Sequence, residues 1–158
     1  MDKREHYTNR FSADWVVAMQ EHMGRVGRAS GIAFAFGGRT GNTRDSHRLV
    51  QFAKQHCSNR QTDLVEKLFS AYFEHEKDIT SHDVLVQATV DAGLDGSAAR
   101  AWLADDSAGG AVVDREVEDA RGKKGITGVP DFVINGKYRV SGAQEPEDFV
   151  NNFRALDE

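Results

Sequence analysis

Apolar residues recur at helical spacing through most of the chain and change to strict alternation near its end. Residues 1–11 are polar and read as an incoming arm. Ser12 is placed to cap a helix to about Arg28, with Trp15, Val16, Met19 and Met23 in phase and Gly31 as its stop. The stretch Ile32-Ala33-Phe34-Ala35-Phe36 alternates but runs straight into Gly37-Gly38, so it reads as an extended loop packing two phenylalanines. Thr43 opens a helix to about His56, turning Leu49, Val50, Phe52 and Ala53 inward. Ser58 and Gln61 have the spacing of a capping box. The helix they start carries a wide stripe of Leu64, Val65, Leu68, Phe69, Tyr72 and Phe73.

Ser81 begins another helix, with Val84, Leu85, Ala88 and Val90, ended by Gly93. Asp95 or Ser97 caps a short helix through Leu103. A further helix runs from about Gly110 to Lys124, with Val112, Val113 and Val117 on one side and Gly125 as its left-handed stop. Then the period shortens. Phe132 and Ile134 alternate with Asp131 and Val133, Asn135-Gly136 is a strong hairpin turn, and Tyr138 and Val140 alternate with Lys137 and Arg139. The two basic residues suit an exposed edge strand. Pro146 fits the first turn of a closing helix that turns Phe149, Val150, Phe153 and Leu156 inward. A two-stranded hairpin is marginal as a sheet, and the strand at 131–135 has no partner on its other side in this reading.

At 158 residues the chain has the length of one domain, taken as 1–158 with a helical block at 12–124 and a closing part at 125–158. A formal charge of −5 and a pI near 5.7 give no reason to expect nucleic acid. There is no membrane-length apolar run and no signal-peptide core, so a cytoplasmic protein is the expectation. Cys57 is the only cysteine of the sequence, which excludes an internal disulfide and a cysteine-rich zinc site. It falls at the end of a predicted helix, where the dipole does nothing to stabilise a thiolate, and reads as incidental. Asp45-Ser46-His47 has the letters of a hydrolase triad, but neighbours on a helix point to different faces. His75 and His82 lack the spacing of a helical metal pair, and no metal is expected.

Several segments together resemble the DsbA-like family of thioredoxin-fold oxidoreductases, and its FrnE-type branch in particular. They are Thr40-Gly41-Asn42-Thr43-Arg44-Asp45-Ser46-His47-Arg48-Leu49, Leu68 through Phe73, Asp78-Ile79 and Ala92-Gly93-Leu94-Asp95. Gly125 through Pro130 and Asn135-Gly136 through Ser141-Gly142-Ala143-Gln144 complete the set, and the resemblance runs from about Tyr7 to Leu156. It implies an α/β, thioredoxin-like fold of DsbA type, left incomplete: a predominantly helical insertion block, then a β-hairpin and a C-terminal helix. The family's opening strand, Cys-x-x-Cys helix and second strand have no counterpart in these residues. The chain is therefore expected to be a truncated or non-catalytic form with no catalytic residues of its own.

The resemblance implies that Val129-Pro130 is the family's cis-proline loop, which faces the redox cysteines and binds a thiol substrate. The plain alternative is a proline at a strand entrance. Asn42 and His47 are implied to lie near the redox cleft. Ser141 and Gly142 belong to a bend that either caps the last helix or holds a carboxylate such as that of glutathione. No cofactor is expected, with glutathione as a candidate ligand or co-substrate. The expected partners are a thiol- or disulfide-bearing protein or glutathione, with neither nucleic acid nor membrane. Two rival readings are a glutathione-binding enzyme like the kappa-class transferases or the chromene-carboxylate isomerases, and a non-enzymatic homodimer closed through the open strand edge.

Overall fold

The computed structural model describes residues 1–156. Helices α1 (Lys3–Thr8), α2 (Ala13–Ala29), α3 (Arg44–His56), α4 (Gln61–Phe73), α5 (His82–Asp91), α6 (Gly96–Ala104) and α7 (Gly110–Glu118) come first. Strands β1 (Asp131–Ile134) and β2 (Tyr138–Ser141) and helix α8 (Pro146–Arg154) close the chain. A helical block followed by a hairpin and a helix is thus the observed order. The chain divides into two compact units, Met1–Val113 and the part from Asp114 onward. The division falls inside α7, before the 124/125 boundary that periodicity indicates.

In the first unit, the expected polar arm is helical. Asp2 makes it so: its Oδ1 accepts the Arg4 and Glu5 amides at 2.9 and 3.2 Å, an N-cap the polar composition concealed. Ser12 caps α2 through the Trp15 amide at 3.3 Å. At its end Gly31 takes φ 76°, and the Ile32 amide turns back to the Gly27 carbonyl at 2.8 Å. Val16 is buried, but Trp15 stays exposed and stacks on Phe11 with ring centroids 4.2 Å apart. Phe34 and Phe36 lie in an extended segment held by the Ala35 amide on the Phe73 carbonyl at 2.8 Å.

The core of this unit comes from one face each of α3 to α6: Leu49, Phe52, Leu64, Leu68, Leu85, Ala88, Ala99 and Leu103. The stripe on α4 is wider than the buried face, and Phe69 remains exposed, as does Val90 on α5. The Ser58/Gln61 capping box does not form. Ser58–Arg60 makes a single tight turn instead, and the Gln61 amide group donates to the Val50 carbonyl at 3.2 Å. Asp95 caps α6 by accepting the Ser97 and Ala98 amides at 2.8 and 3.1 Å.

A buried cation joins the ends of this core. Arg48 is 1% exposed, and its guanidinium donates to the carbonyls of Trp102 (2.9 Å), Asp105 and Ala108 (2.8 Å). Asp45 accepts from it at 2.9 Å, and the Trp102 indole returns a bond to the Arg48 carbonyl at 3.1 Å. A guanidinium presents five donors in a fixed fork, which lets one side chain satisfy a whole loop of carbonyls. Among the described residues no buried side-chain nitrogen or oxygen lacks a partner.

In the second unit, the last turn beyond α7 widens into a π-type turn, Asp119–Lys123, before Gly125 at φ 61°. Along α7, which spans the division, Val113 is buried while Val112, about 100° round the helix, and Val117, one turn on, are exposed, so the expected valine face is not shared. The strands pair antiparallel, with Phe132 opposite Val140 and Ile134 opposite Tyr138. That register leaves Asn135, Gly136 and Lys137 in the turn, one residue more than the expected two-residue hairpin. Asn135 and Gly136 take φ 49° and 69°, and the Lys137 amide closes on the Ile134 carbonyl at 3.0 Å. Phe132 meets Phe149 of α8 edge-on at 4.9 Å, and the Tyr138 hydroxyl reaches the Ala155 carbonyl at 3.2 Å. Phe149, Val150 and Leu156 are only half-buried and Phe153 is exposed, so the helix face expected inside stays partly wet.

Candidate functional site

Four of the expected site residues converge at the mouth of the hairpin. The Val129–Pro130 peptide bond is cis. Pro130 leads into β1, and its carbonyl accepts the Gly142 amide at 2.8 Å. Ser141 faces Asp131 across the strands, so Val129, Pro130, Ser141 and Gly142 form one rim. Gly142 takes φ 82°, a left-handed conformation that suits its lack of a side chain. Val129 is 88% exposed, an apolar side chain held out in water.

Asp131 and Arg139 hold this rim. The Asp131 carboxylate, itself nearly buried, accepts from Arg139 Nε at 2.9 and 3.2 Å. Arg139 also donates to the Lys124 carbonyl at 2.9 Å, tying the segment before the loop to β2. A single guanidinium thus fixes both ends of the Gly125–Pro130 segment. The sequence suggested edge protection for Arg139. A charge pair between the two strands, two residues from cross-strand opposition, was the signal available for its real partner.

The bend before α8 is closed from within. The Gln144 amide group donates to the Ser141 carbonyl at 3.1 Å, and the Glu145 amide donates to Asp148 Oδ2 at 3.2 Å. Glu147 and Asp148 occupy the first helical turn. Their charge already complements the helix dipole and repels a further carboxylate.

Asn42 and His47 lie in the first unit and are not brought together. Asn42 Oδ1 accepts the Arg44 amide at 2.9 Å, while Thr43 in the N-cap position makes no side-chain cap bond. Asn42 also borders a polar recess of about 430 Å³ with Arg39, Thr40, Asp45 and Thr80. His47 is exposed and does not line it. Asp45 instead accepts from His82 Nε2 at 2.8 Å, while Ser46 turns its hydroxyl to the Thr43 carbonyl at 2.7 Å. No triad forms. Burial pushes the Asp45 carboxyl up, but the bonds from His82 and Arg48 outweigh it and hold the carboxyl below its usual range. The Asp78 carboxyl is also held low, chiefly by the Thr80 hydroxyl.

Cys57 ends α3 and donates its thiol to Asn59 Oδ1 at 3.0 Å. Among the described residues no group of three or more His, Cys, Asp or Glu side chains is placed to hold a metal, and no helix is long and apolar enough to cross a membrane.

In chain order, a helical block is followed by a hairpin entered through a Gly-Val-Pro loop and by a closing helix. The sequence matches the DSBA-like thioredoxin domain over residues 3–154, and the chain belongs to that family. A crystal structure from Streptomyces coelicolor, described as a probable DsbA oxidoreductase, is similar at a TM-score of 0.84 and 33% identity. The likeness covers 96% of this chain and 64% of that one, so the chain spans about two thirds of its relative's length. No curated protein matches the sequence.

Proposed function

We propose that these 158 residues form the substrate-binding part of a FrnE-type DsbA-like thiol–disulfide oxidoreductase, and that they do not exchange disulfides by themselves. The observation that carries this reading is the apolar rim at Val129–Pro130, 88% exposed at Val129, in a chain of this family whose one cysteine is Cys57. Disulfide exchange needs an attacking thiolate and a second thiol to resolve the mixed disulfide. Cys57 supplies at most one of these, and its thiol is engaged with Asn59. The rim offers a backbone edge and an apolar contact to an extended peptide bearing a thiol or disulfide, such as a segment of an unfolded protein. The Ser141-Gly142-Ala143-Gln144 ending supports the FrnE branch over the glutathione-binding enzymes, and the acidic first turn of α8 points the same way.

Two measurements test it. Reduction of insulin disulfides by the purified chain should be absent and unaffected by Cys57→Ser; turnover that survives the substitution would sink the reading. A cysteine-containing peptide should shift the amide resonances of Val129, Asp131 and Gly142, and Val129→Glu should weaken that binding.

A second reading rests on the other edge of β1. Among the described residues β1 pairs with β2 alone, and Val133 is exposed beside it. Two copies could pair through this edge. Sedimentation giving a folded monomer at high concentration would remove the dimer and leave the first reading intact.

A further inference from the structure

Lys3 is 4% exposed, a rare position for a lysine. Its Nζ donates to the Tyr72 carbonyl at 3.0 Å and sits 3.7 Å from the centroid of the Tyr72 ring. An ammonium has three donors, and a buried charge is ordinarily paired. Yet among the described residues Lys3 has no ion pair within 4.0 Å. Glu76 contributes charge from a distance, but its Oε1 is taken by the Gly37 amide at 2.7 Å. Burial lowers the pKa of Lys3 and Glu76 only partly restores it, as expected of a cation short of a counter-charge.

Lys3 and Tyr72, against which its ammonium packs, both line a pocket of about 330 Å³. Trp15, Met23, Phe34 and Phe73 supply apolar surface, and Lys3 is the one charged residue lining it. The volume is that of a site for a small organic molecule, where apolar walls give affinity and one polar group gives orientation. A neutral apolar ligand would leave the ammonium as it is. A ligand bearing a carboxylate would add a charge-assisted hydrogen bond to a cation that has no counter-charge in contact among the described residues.

We propose that this pocket binds a small apolar carboxylate, its ring or chain against Trp15, Met23 and Phe34 and its carboxylate on the Lys3 ammonium. The site shares no residue with the Val129–Pro130 rim and does not depend on the reading of that rim.

The test is calorimetric titration of the full chain with naphthalene-2-carboxylate and with the uncharged 2-naphthalenemethanol. The carboxylate should bind at least about tenfold more tightly, the size of one added charge-assisted bond. Lys3→Met should abolish that preference while keeping affinity for the alcohol, and Trp15→Ala should weaken both. In the unsubstituted chain the indole N–H resonance of Trp15 should shift on binding, and that of Trp102 should not. Equal affinities for the two probes, binding of neither, or a preference that persists in Lys3→Met would each overturn the proposal. Should Lys3→Met fail to fold, the comparison of the two probes on the unsubstituted chain still decides it.

Discussion

The two units are built on different principles. Met1–Val113 has a dry centre of leucines and a phenylalanine, with a buried arginine satisfying the loop after α6. From Asp114 onward, Val140 is the single buried residue among those described, and the hairpin is held by turn geometry, the Asp131–Arg139 pair and one aromatic contact. The first unit has a closed apolar centre, although Trp15, Phe69 and Val90 stay exposed; the second has no such centre among its described residues. Residues that identify a family need not sit in the part of a chain with the largest buried core.

The contrast is most exposed at Arg48. Arg48→Met strips the buried loop carbonyls of their donors and leaves Asp45 with His82 alone, and should cost about 3–5 kcal/mol in urea unfolding. A loss under 1 kcal/mol would show that the carbonyls find water instead. Next comes the core itself. Leu85→Ala, at a fully buried position, should cost about 2–5 kcal/mol, whereas Phe153→Ala on exposed α8 should cost under about 1 kcal/mol. Equal losses would erase the difference between the units.

Within the hairpin, Gly136→Ala places a side chain at φ 69° and should cost about 1 kcal/mol, read as faster exchange of the Lys137 amide. The smallest effect is electrostatic. Asp45 has its carboxyl lowered in the fold, so its contribution is present above the ordinary carboxylate value near 4 and is lost as pH falls through the folded value. Asp45→Asn should flatten this part of the acid limb, with a loss at neutral pH of about 1 kcal/mol or less for so accessible a pair. An unchanged acid limb would remove Asp45 from the account of stability.

Much of the fold was legible along the chain. The Ser12 and Asp95 caps, the Gly31 stop and the Asn135-Gly136 turn act within a few residues, so local sequence carries them. The failures share a cause. The Ser58/Gln61 box was outcompeted by the Val50 carbonyl, an acceptor supplied by α3. The wide stripe on α4 overstated burial because helical period gives a direction and not the size of the neighbour that covers it. That Val129, Pro130, Ser141 and Gly142 lie together at the hairpin follows from its local turn; the arginine that ties this segment down was read as a charge on an edge.

What the sequence by itself determined is the order of helices and strands from α2 onward and the presence of a single thiol. Those follow from period, from backbone conformations open to few residues, and from composition. Only the tertiary structure decided where the polar side chains went. Asp45 turns to His82 and not to His47, Arg48 finds carbonyls as far as sixty residues away, and Lys3 is buried against Tyr72. The reason is physical: a long polar side chain goes where unsatisfied partners converge, and that convergence exists only once the chain has folded.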